Sequence, residues 1–153
     1  MDQSEDRLKH RALTEQIIGV FFEVYNELGH GFLESVYEKA FELALVAKPL
    51  RVRRQIKGPV WFQGHKVGDF SADMLVQERV LVELKSCRAL DVAHEAQLLN
   101  YLRATEIEVG LLFNFGMKPQ FKRLAFDNRR KHVPGSSDSL LKILLSSEKD
   151  KAY

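Results

Sequence analysis

The chain has 153 residues, of which 45% are hydrophobic and 29% charged, the balance of a globular domain, which excludes a disordered or fibrous protein. The lone Cys87 cannot form an intrachain disulfide, and a domain of this length needs none to fold. No apolar run approaches the roughly 20 residues of a membrane span, and the polar start is unlike a signal peptide. We therefore expect one cytoplasmic domain over residues 1–153 that does not contact a membrane.

The formal net charge of +2 is nearly neutral and does not by itself indicate a nucleic-acid-binding protein. Two local basic stretches leave the question open, because each is as compatible with phosphate contacts as with solvated surface. They comprise Arg51, Arg53, Arg54 and Lys57, and then Arg129, Arg130, Lys131 and His132.

Two amphipathic helices are predicted first. Residues 11–27 carry apolar side chains at steps of three and four, and this helix ends near Gly29. The same spacing runs from Leu33 until Lys48-Pro49 closes a second helix. The chain therefore begins with two helices joined by a short glycine-containing turn.

A meander of three strands should follow, since residues 52–86 are rich in β-branched and aromatic side chains. The strand segments are Val52–Ile56 with Val60–Phe62, then Val67–Val76, then Val80–Ser86. Gly64 marks the first turn, and residues 77–79 mark the second. Trp61 and Phe62 are predicted to pack in the core or the sheet, the alternative being an exposed Trp61 that stacks on a base.

The remaining pattern predicts a third helix over residues 91–104, strands at Glu108–Phe115 and Phe121–Phe126, and a closing helix over residues 137–147. A helix that joins two strands of one sheet implies a parallel pair. The predicted fold class is therefore α/β, with a mixed central sheet flanked by helices.

Acidic side chains interrupt the apolar pattern of the second and third strands. Alternation places Phe70, Ala72, Met74 and Val76 on one face, and it places Asp73, Glu83 and Lys85 away from the main apolar face. A hairpin centred on Glu78 sets Asp73 directly opposite Glu83, where two carboxylates repel unless a cation lies between them. Oxygen ligands favour Mg²⁺ or a related ion, and the open alternative is an ordinary surface ion network.

These residues resemble a known motif. Ser71-Ala-Asp73 followed by Val82-Glu83-Leu84-Lys85 resembles the PD-(D/E)XK nuclease superfamily, with Ala72 at the proline position. The resemblance implies a restriction-endonuclease-like αβββαβ core over about residues 14–127. It also implies that Asp73, Glu83 and the Leu84 carbonyl bind Mg²⁺ or Mn²⁺, while Lys85 assists catalysis.

Gly31-Phe-Leu-Glu34-Ser-Val-Tyr37 resembles the signature of the GxxExxY protein family. That resemblance implies that Glu34 supplements the metal site, directly or through water. The residue pattern alone leaves a second interpretation open, a first-turn glutamate favoured by the helix dipole.

The third helix carries Gln97 and Tyr101 four residues apart, resembling a pair in the helicase-associated branch of the superfamily. With His94 on the same helix face, these side chains are candidates to contact a phosphate or base, and Gln97 is also a candidate catalytic residue. The alternative is a structural role, in which Tyr101 packs in the core and Gln97 lies on the flank of the helix. For His94 a structural or substrate-contact role is favoured over metal ligation, because hard cations prefer oxygen.

Taken together, the sequence predicts a metal-dependent nuclease acting on nucleic acid, with DNA favoured as substrate. The alternatives are a non-catalytic module that binds nucleic acid or protein with the same fold, and an enzyme acting on another phosphorylated substrate. A homodimer is compatible with cleavage of both strands, although no surface stripe in the sequence requires one.

Overall fold

A computed structural model describes residues 9–131. The helices are α1 (Arg11–Leu28), α2 (Glu34–Ala47) and α3 (Val92–Ala104), and the strands are β1 (Val52–Phe62), β2 (His65–Val76), β3 (Val80–Lys85), β4 (Val109–Phe115) and β5 (Pro119–Ala125), followed by a short 3-10 turn at Asn128–Arg130. The closing helix predicted over residues 137–147 lies outside the described residues. Within the described part of the chain, no helix combines the length and apolarity needed to cross a bilayer.

The five strands form one sheet in the order β1-β2-β3-β4-β5. All neighbouring pairs are antiparallel except β3 and β4, which are parallel and are connected through α3. The mixed sheet and the parallel pair predicted from the element order are confirmed. All seven residues of β4 are buried, as expected for a strand with neighbours on both sides and helices on both faces.

Two hydrophobic layers cover the two faces of the sheet. The layer beneath α1 and α2 contains Phe21, Tyr37, Phe41 and the strand residues Met74, Val76, Val82, Leu84, Phe113 and Phe115. The layer beneath α3 contains Leu98, Tyr101, Leu102 and the strand residues Ile56, Phe70, Ala72, Leu75, Leu81 and Leu112. Adjacent strand residues such as Leu111 and Leu112 thus enter different layers, as the pleat requires.

The prediction that β1 is broken between Ile56 and Val60 is wrong, since one strand runs from Val52 to Phe62. Pro59 is tolerated because β1 is an edge strand, where a missing N–H leaves the ladder intact. Gly58 is required for a different reason: the Phe70 ring lies across it, and a Cβ atom there would come within 2.6 Å of the ring.

Regular alternation along β2, which predicted Phe70, Ala72, Met74 and Val76 on one face, is also wrong. Phe70 and Ala72 pack beneath α3, whereas Met74 packs beneath α1 and α2. The change of face coincides with Asp73, which is absent from the β1–β2 ladder together with Gln55, the residue that the register would place opposite it. Gln55 has φ 52°, a left-handed conformation that reverses the pleat of β1 at the same level.

Candidate active site

Asp73 and Glu83 meet where the regular ladder ends. The β2–β3 pairing is centred on Glu78 as predicted, but its last regular pair is Met74 with Val82. Beyond that pair, the side chains replace the backbone acceptors: Glu83 Oε1 accepts a hydrogen bond from the Asp73 N–H at 2.8 Å, and Asp73 Oδ2 accepts one from the Leu84 N–H at 2.7 Å. This reciprocal exchange fixes two carboxyl groups side by side at the split between the strands.

The electrostatics of this pair are unfavourable without a cation. Burial, and after it the Asp73 charge, raises the pKa of Glu83 from its ordinary 4.5 to about 8. Burial also raises the pKa of Asp73, with the charge of Glu38 acting in the same direction, while the Leu84 N–H and Lys85 oppose the shift. The two carboxyl groups are near enough to share a proton, which is the arrangement a bound divalent cation would replace.

Lys85 ends β3 two residues beyond Glu83, on the same face of the strand. Its side chain is half-buried, and its positive charge lowers the pKa of both Asp73 and Glu83. Among residues 9–131, no carboxylate lies within 4 Å of its ammonium group. Lys85 therefore acts on the acidic pair through its charge and forms no salt bridge with another residue of the described range 9–131.

The Gly31–Tyr37 motif spans the end of the connection between α1 and α2 and the first turn of α2, and it contacts the residue after β3. Gly31 has φ 107°, which side chains other than glycine rarely adopt. The buried Tyr37 hydroxyl donates to the Gly29 carbonyl at 2.6 Å and accepts from the Phe32 N–H at 3.2 Å. The Phe32 carbonyl in turn accepts a hydrogen bond from Ser86 Oγ at 3.1 Å. The motif thus holds the residue that follows Lys85.

We expect Tyr37→Phe to lower the free energy of unfolding by about 1–3 kcal/mol, because two backbone groups of the connection lose their partner. Chemical denaturation measures the change. Tyr25→Phe is a matched control, since its hydroxyl also donates to backbone carbonyls, those of Gly116 and Met117, but outside this connection. Divalent metal should raise the melting temperature less in the Tyr37 variant than in the wild type, and should raise it as much in the Tyr25 variant as in the wild type. An equal rise in both variants would contradict the link between this connection and Lys85.

Glu34 and Glu38 occupy different positions relative to the acidic pair. Glu34 lies in the first turn of α2, and its Oε1 accepts a hydrogen bond from the Ser86 N–H at 3.3 Å. Glu38, one turn later, is the α2 carboxylate whose charge acts on Asp73. A role for Glu34 at the metal stays a prediction, and the structure brings Glu38 into the site as a residue to which the sequence assigned no role.

Glu38 is held in place by β1. Its Oε1 accepts from Gln55 Nε2 at 2.7 Å and pairs with the Arg54 guanidinium at 3.1 Å. Gln55 also contacts Ser71 Oγ at 3.4 Å, so it connects β1, β2 and α2 at the level where the ladder is interrupted. The left-handed conformation of Gln55 was not predictable from the sequence, because glutamine rarely adopts it.

Gln97 and Tyr101 do share a face of α3, and that face approaches the acidic pair. The Gln97 side chain and the Ser71 backbone lie near enough to the Tyr101 hydroxyl to act on its pKa, and both lower it. Burial, and then the charges of Glu83 and Asp73, raises the pKa of Tyr101 above its ordinary 10. Tyr101 is also a core residue, stacked on Phe70 with ring centroids 5.0 Å apart, while Gln97 is exposed.

His94 has a structural role at the start of α3. The Asp91 carboxylate accepts from the N–H groups of Ala93 and His94, and His94 Nδ1 accepts from the Asp91 N–H at 3.2 Å. This is a reciprocal capping box in which histidine takes the position usually held by glutamate or glutamine. A substrate contact by the other ring nitrogen stays a prediction.

A buried asparagine orders the loop after β3 and was missed by sequence reasoning. Asn114 of β4 accepts from the Cys87 N–H and donates to the Cys87 carbonyl, both at 3.0 Å. Gly116 is needed beside it, because a Cβ atom there would collide with the Cys87 carbonyl. Burial raises the pKa of the Cys87 thiol, so this cysteine is not an activated nucleophile.

The two basic stretches are partly used within the protein. Arg53 pairs with Glu78 at 2.9 Å, and Arg54 pairs with both Glu38 and Glu42. In the second stretch, Lys131 donates to two backbone carbonyls, and burial lowers its pKa to about 8. Arg54 and Lys131 are therefore occupied by internal partners, whereas Arg53 lies next to Glu78 with its buried Nε and Nη2 making no hydrogen bond within the described residues.

The sheet order, the flanking helices and the acidic pair with its lysine define a restriction-endonuclease-like fold. A family model of the PD-(D/E)XK nuclease superfamily matches residues 11–124, and the chain belongs to that superfamily. A solved structure entitled "Crystal structure of SSO0001" superposes with a TM-score of 0.53 at 12% identity, covering 95% of this chain and 70% of that one, and supports the fold alone. Among curated proteins, none matches this chain.

Proposed function

We propose that this protein is a metal-dependent nuclease that hydrolyses phosphodiester bonds in nucleic acid, and that within the superfamily it belongs to the GxxExxY family. The observation that carries the proposal is the pair formed by the half-buried Asp73 and the buried Glu83, fixed by reciprocal hydrogen bonds beside Lys85. The family assignment is supported by Gly31, Glu34 and Tyr37, which form one connection against the end of β3.

The residues present fit a hard divalent cation. Asp73, Glu83 and the Leu84 carbonyl supply oxygen ligands only, the set that Mg²⁺ and Mn²⁺ prefer. Within residues 9–131, no three histidine, cysteine or carboxylate side chains cluster as a metal site. Mg²⁺ usually keeps several water ligands, which would complete the coordination here. When bound, the cation would neutralise phosphate charge and lower the pKa of a water molecule.

The chain's own residues divide the remaining tasks. Lys85 supplies a positive charge for the oxygen on which negative charge develops as water attacks phosphorus. Tyr101 is protonated near neutral pH, since its ordinary pKa is 10 and burial raises it, so it can serve as a hydrogen-bond donor rather than as a base. Gln97, exposed beside it, is placed to donate to a phosphate or base. In-line attack would then release a 3′-hydroxyl and a 5′-phosphate.

The test is cleavage of labelled single-stranded and duplex DNA and RNA with Mg²⁺ or Mn²⁺, comparing the wild type with Asp73→Asn. We expect cleavage that requires metal and falls by a factor on the order of 10³ or more in the variant, since a ligand to the cation is lost. Glu15→Gln is the matched control, because Glu15 is exposed on α1 and pairs only with Arg11 in the described structure.

Equal cleavage by the wild type and by a folded Asp73→Asn would identify a contaminant and contradict the proposal. Metal binding without cleavage of any of the four substrates would also contradict it, and would favour the non-catalytic binding module. Cleavage of a mononucleotide ester in preference to all polymers would identify an enzyme for a small phosphorylated substrate instead.

A further inference from the structure

The β1–β2 hairpin extends beyond the body of the sheet. Ten consecutive residues, Val60–Asp69, are exposed, and we call this segment the β-arm. The β3 strand pairs with β2 only at residues 74–76, so among residues 9–131 no third strand flanks the arm. The expectation that Trp61 and Phe62 pack in the core or the sheet is wrong, since they are 49% and 61% exposed.

The ladder of the arm places each aromatic ring beside a basic side chain. Trp61 pairs with Lys66, and Phe62 pairs with His65, so each pair shares one face of the hairpin. The register shifts between Val60 and Trp61, which makes Val67 an extra residue in a bulge. Bulges increase the twist of a hairpin and re-aim its side chains, so the tip presents an aromatic-plus-basic pair on each face.

The cationic side chain next to the exposed rings is Lys66, and the exposed Lys57 lies at the base of the arm, whereas Asp69 is the single carboxylate of the arm. Asp69 pairs with Lys66 at 3.1 Å, but both side chains are more than half exposed, so the pair contributes little and opens easily. An aromatic ring next to a basic side chain is the combination that binds unpaired nucleotides through stacking and phosphate contact.

The arm is continuous with the acidic pair. Asp73 and Lys66 lie on the same strand, seven residues apart, which corresponds to at most about 23 Å. A strand of nucleic acid with about 3.4 Å per stacked nucleotide covers that distance in roughly seven nucleotides. The arm is thus placed to contact the same strand that occupies the catalytic site, some distance from the scissile phosphate.

We propose that the β-arm is a binding surface for single-stranded nucleic acid, on which Trp61 stacks with an unpaired base and Lys66 contacts the backbone. The proposal rests on the nuclease function proposed above and adds the form of the substrate, an unpaired segment flanking the cleavage position. We favour nucleic acid over a second copy of the chain as the partner, because Lys66 lies opposite Trp61 and Lys57 lies at the base of the arm.

Trp61 is the only tryptophan of the chain, so its fluorescence reports on the arm directly. The experiment uses the full-length Asp73→Asn variant in EDTA, where cleavage cannot occur, titrated with dT20, with rU20 and with a blunt 20-base-pair duplex. We expect either single strand to quench the fluorescence by about half and the duplex to leave it nearly unchanged. Trp61→Ala in the same background should weaken dT20 binding about tenfold by anisotropy.

Leu43→Ala is the matched control, because Leu43 is as exposed as the arm residues, at 60%, but lies on α2. It should leave dT20 binding unchanged, while Lys66→Ala should weaken binding and reduce its salt dependence. The proposal for the arm would be overturned if dT20 bound equally tightly with and without Trp61→Ala. It would also be overturned if the duplex quenched the fluorescence as much as the single strands do. Neither result would contradict the nuclease function.

Two other outcomes separate the proposals. If no nucleic acid binds and none is cleaved in the metal-dependent assay, the nuclease function itself fails. If sedimentation shows a dimer that Trp61→Ala converts to a monomer, the arm is an interface between copies of the chain, and its assignment to nucleic acid is overturned.

Discussion

Replacing Lys85 with alanine is expected to lower the rate constant for phosphodiester cleavage by a factor on the order of 10²–10³ while changing the affinity for Mn²⁺ by only a few-fold. The two effects separate because Lys85 is not an oxygen ligand, and its charge is needed mainly where negative charge develops on the phosphate. Its removal should even favour metal binding slightly, since a neighbouring cation is lost. Cleavage under single-turnover conditions and calorimetric titration with Mn²⁺ measure the two quantities.

Lys85→Arg and Lys39→Ala complete this experiment. Arginine keeps the charge but not the compact ammonium group, and it should restore part of the rate. Lys39 is an exposed lysine of α2 paired with Glu42, and its loss should change neither quantity. Retention of the wild-type rate in Lys85→Ala would show that the lysine of the motif takes no part in catalysis.

Without divalent metal, the protein should lose stability as pH rises from 5 to 8. The pKa of Glu83 is 4.5 ordinarily and about 8 in the folded protein, so the folded state binds more protons than the unfolded state across this window. Stability from this group is therefore full below pH 4.5 and is lost as pH rises through 8. The expected loss is on the order of a few kcal/mol, measured by denaturant unfolding in EDTA.

Glu83→Gln removes the titrating group with nearly the same shape. The variant should lose most of the pH dependence and exceed the stability of the wild type at pH 8 in EDTA, since the buried charge is absent. Mn²⁺ should stabilise the wild type most at pH 8, because metal binds the deprotonated pair, and should hardly affect the variant. If the free energy of unfolding changes with pH in the same way in both proteins, the pKa of Glu83 is not raised in the folded state.

The α/β class, the element order and the parallel β3–β4 pair followed from the sequence because they depend on local periodicity. Helical spacing in α1 and α2 and the apolar run of β4 each extend over enough residues to outweigh single exceptions. The register of the β2–β3 hairpin followed as well, since matching the apolar pairs Val76 with Val80 and Met74 with Val82 left one arrangement. The sequence therefore indicated Asp73, Glu83 and Lys85 as candidate site residues, although it did not give their arrangement in space.

The sequence by itself singled out Asp73, Glu83 and Lys85 as the candidate site, because carboxylates that would repel each other on paired strands interrupt the apolar pattern and because the segment resembles the superfamily motif. Only the tertiary structure decided how they meet. The change of face at Asp73 depends on the left-handed Gln55 of another strand, and the approach of Glu38 depends on how α2 packs across the sheet. Exposure of Trp61 depends likewise on the short length of β3, which pairs with β2 only at residues 74–76 and does not reach the end of the β1–β2 hairpin. Each is set by contacts between residues distant in the chain, which periodicity within one element does not encode.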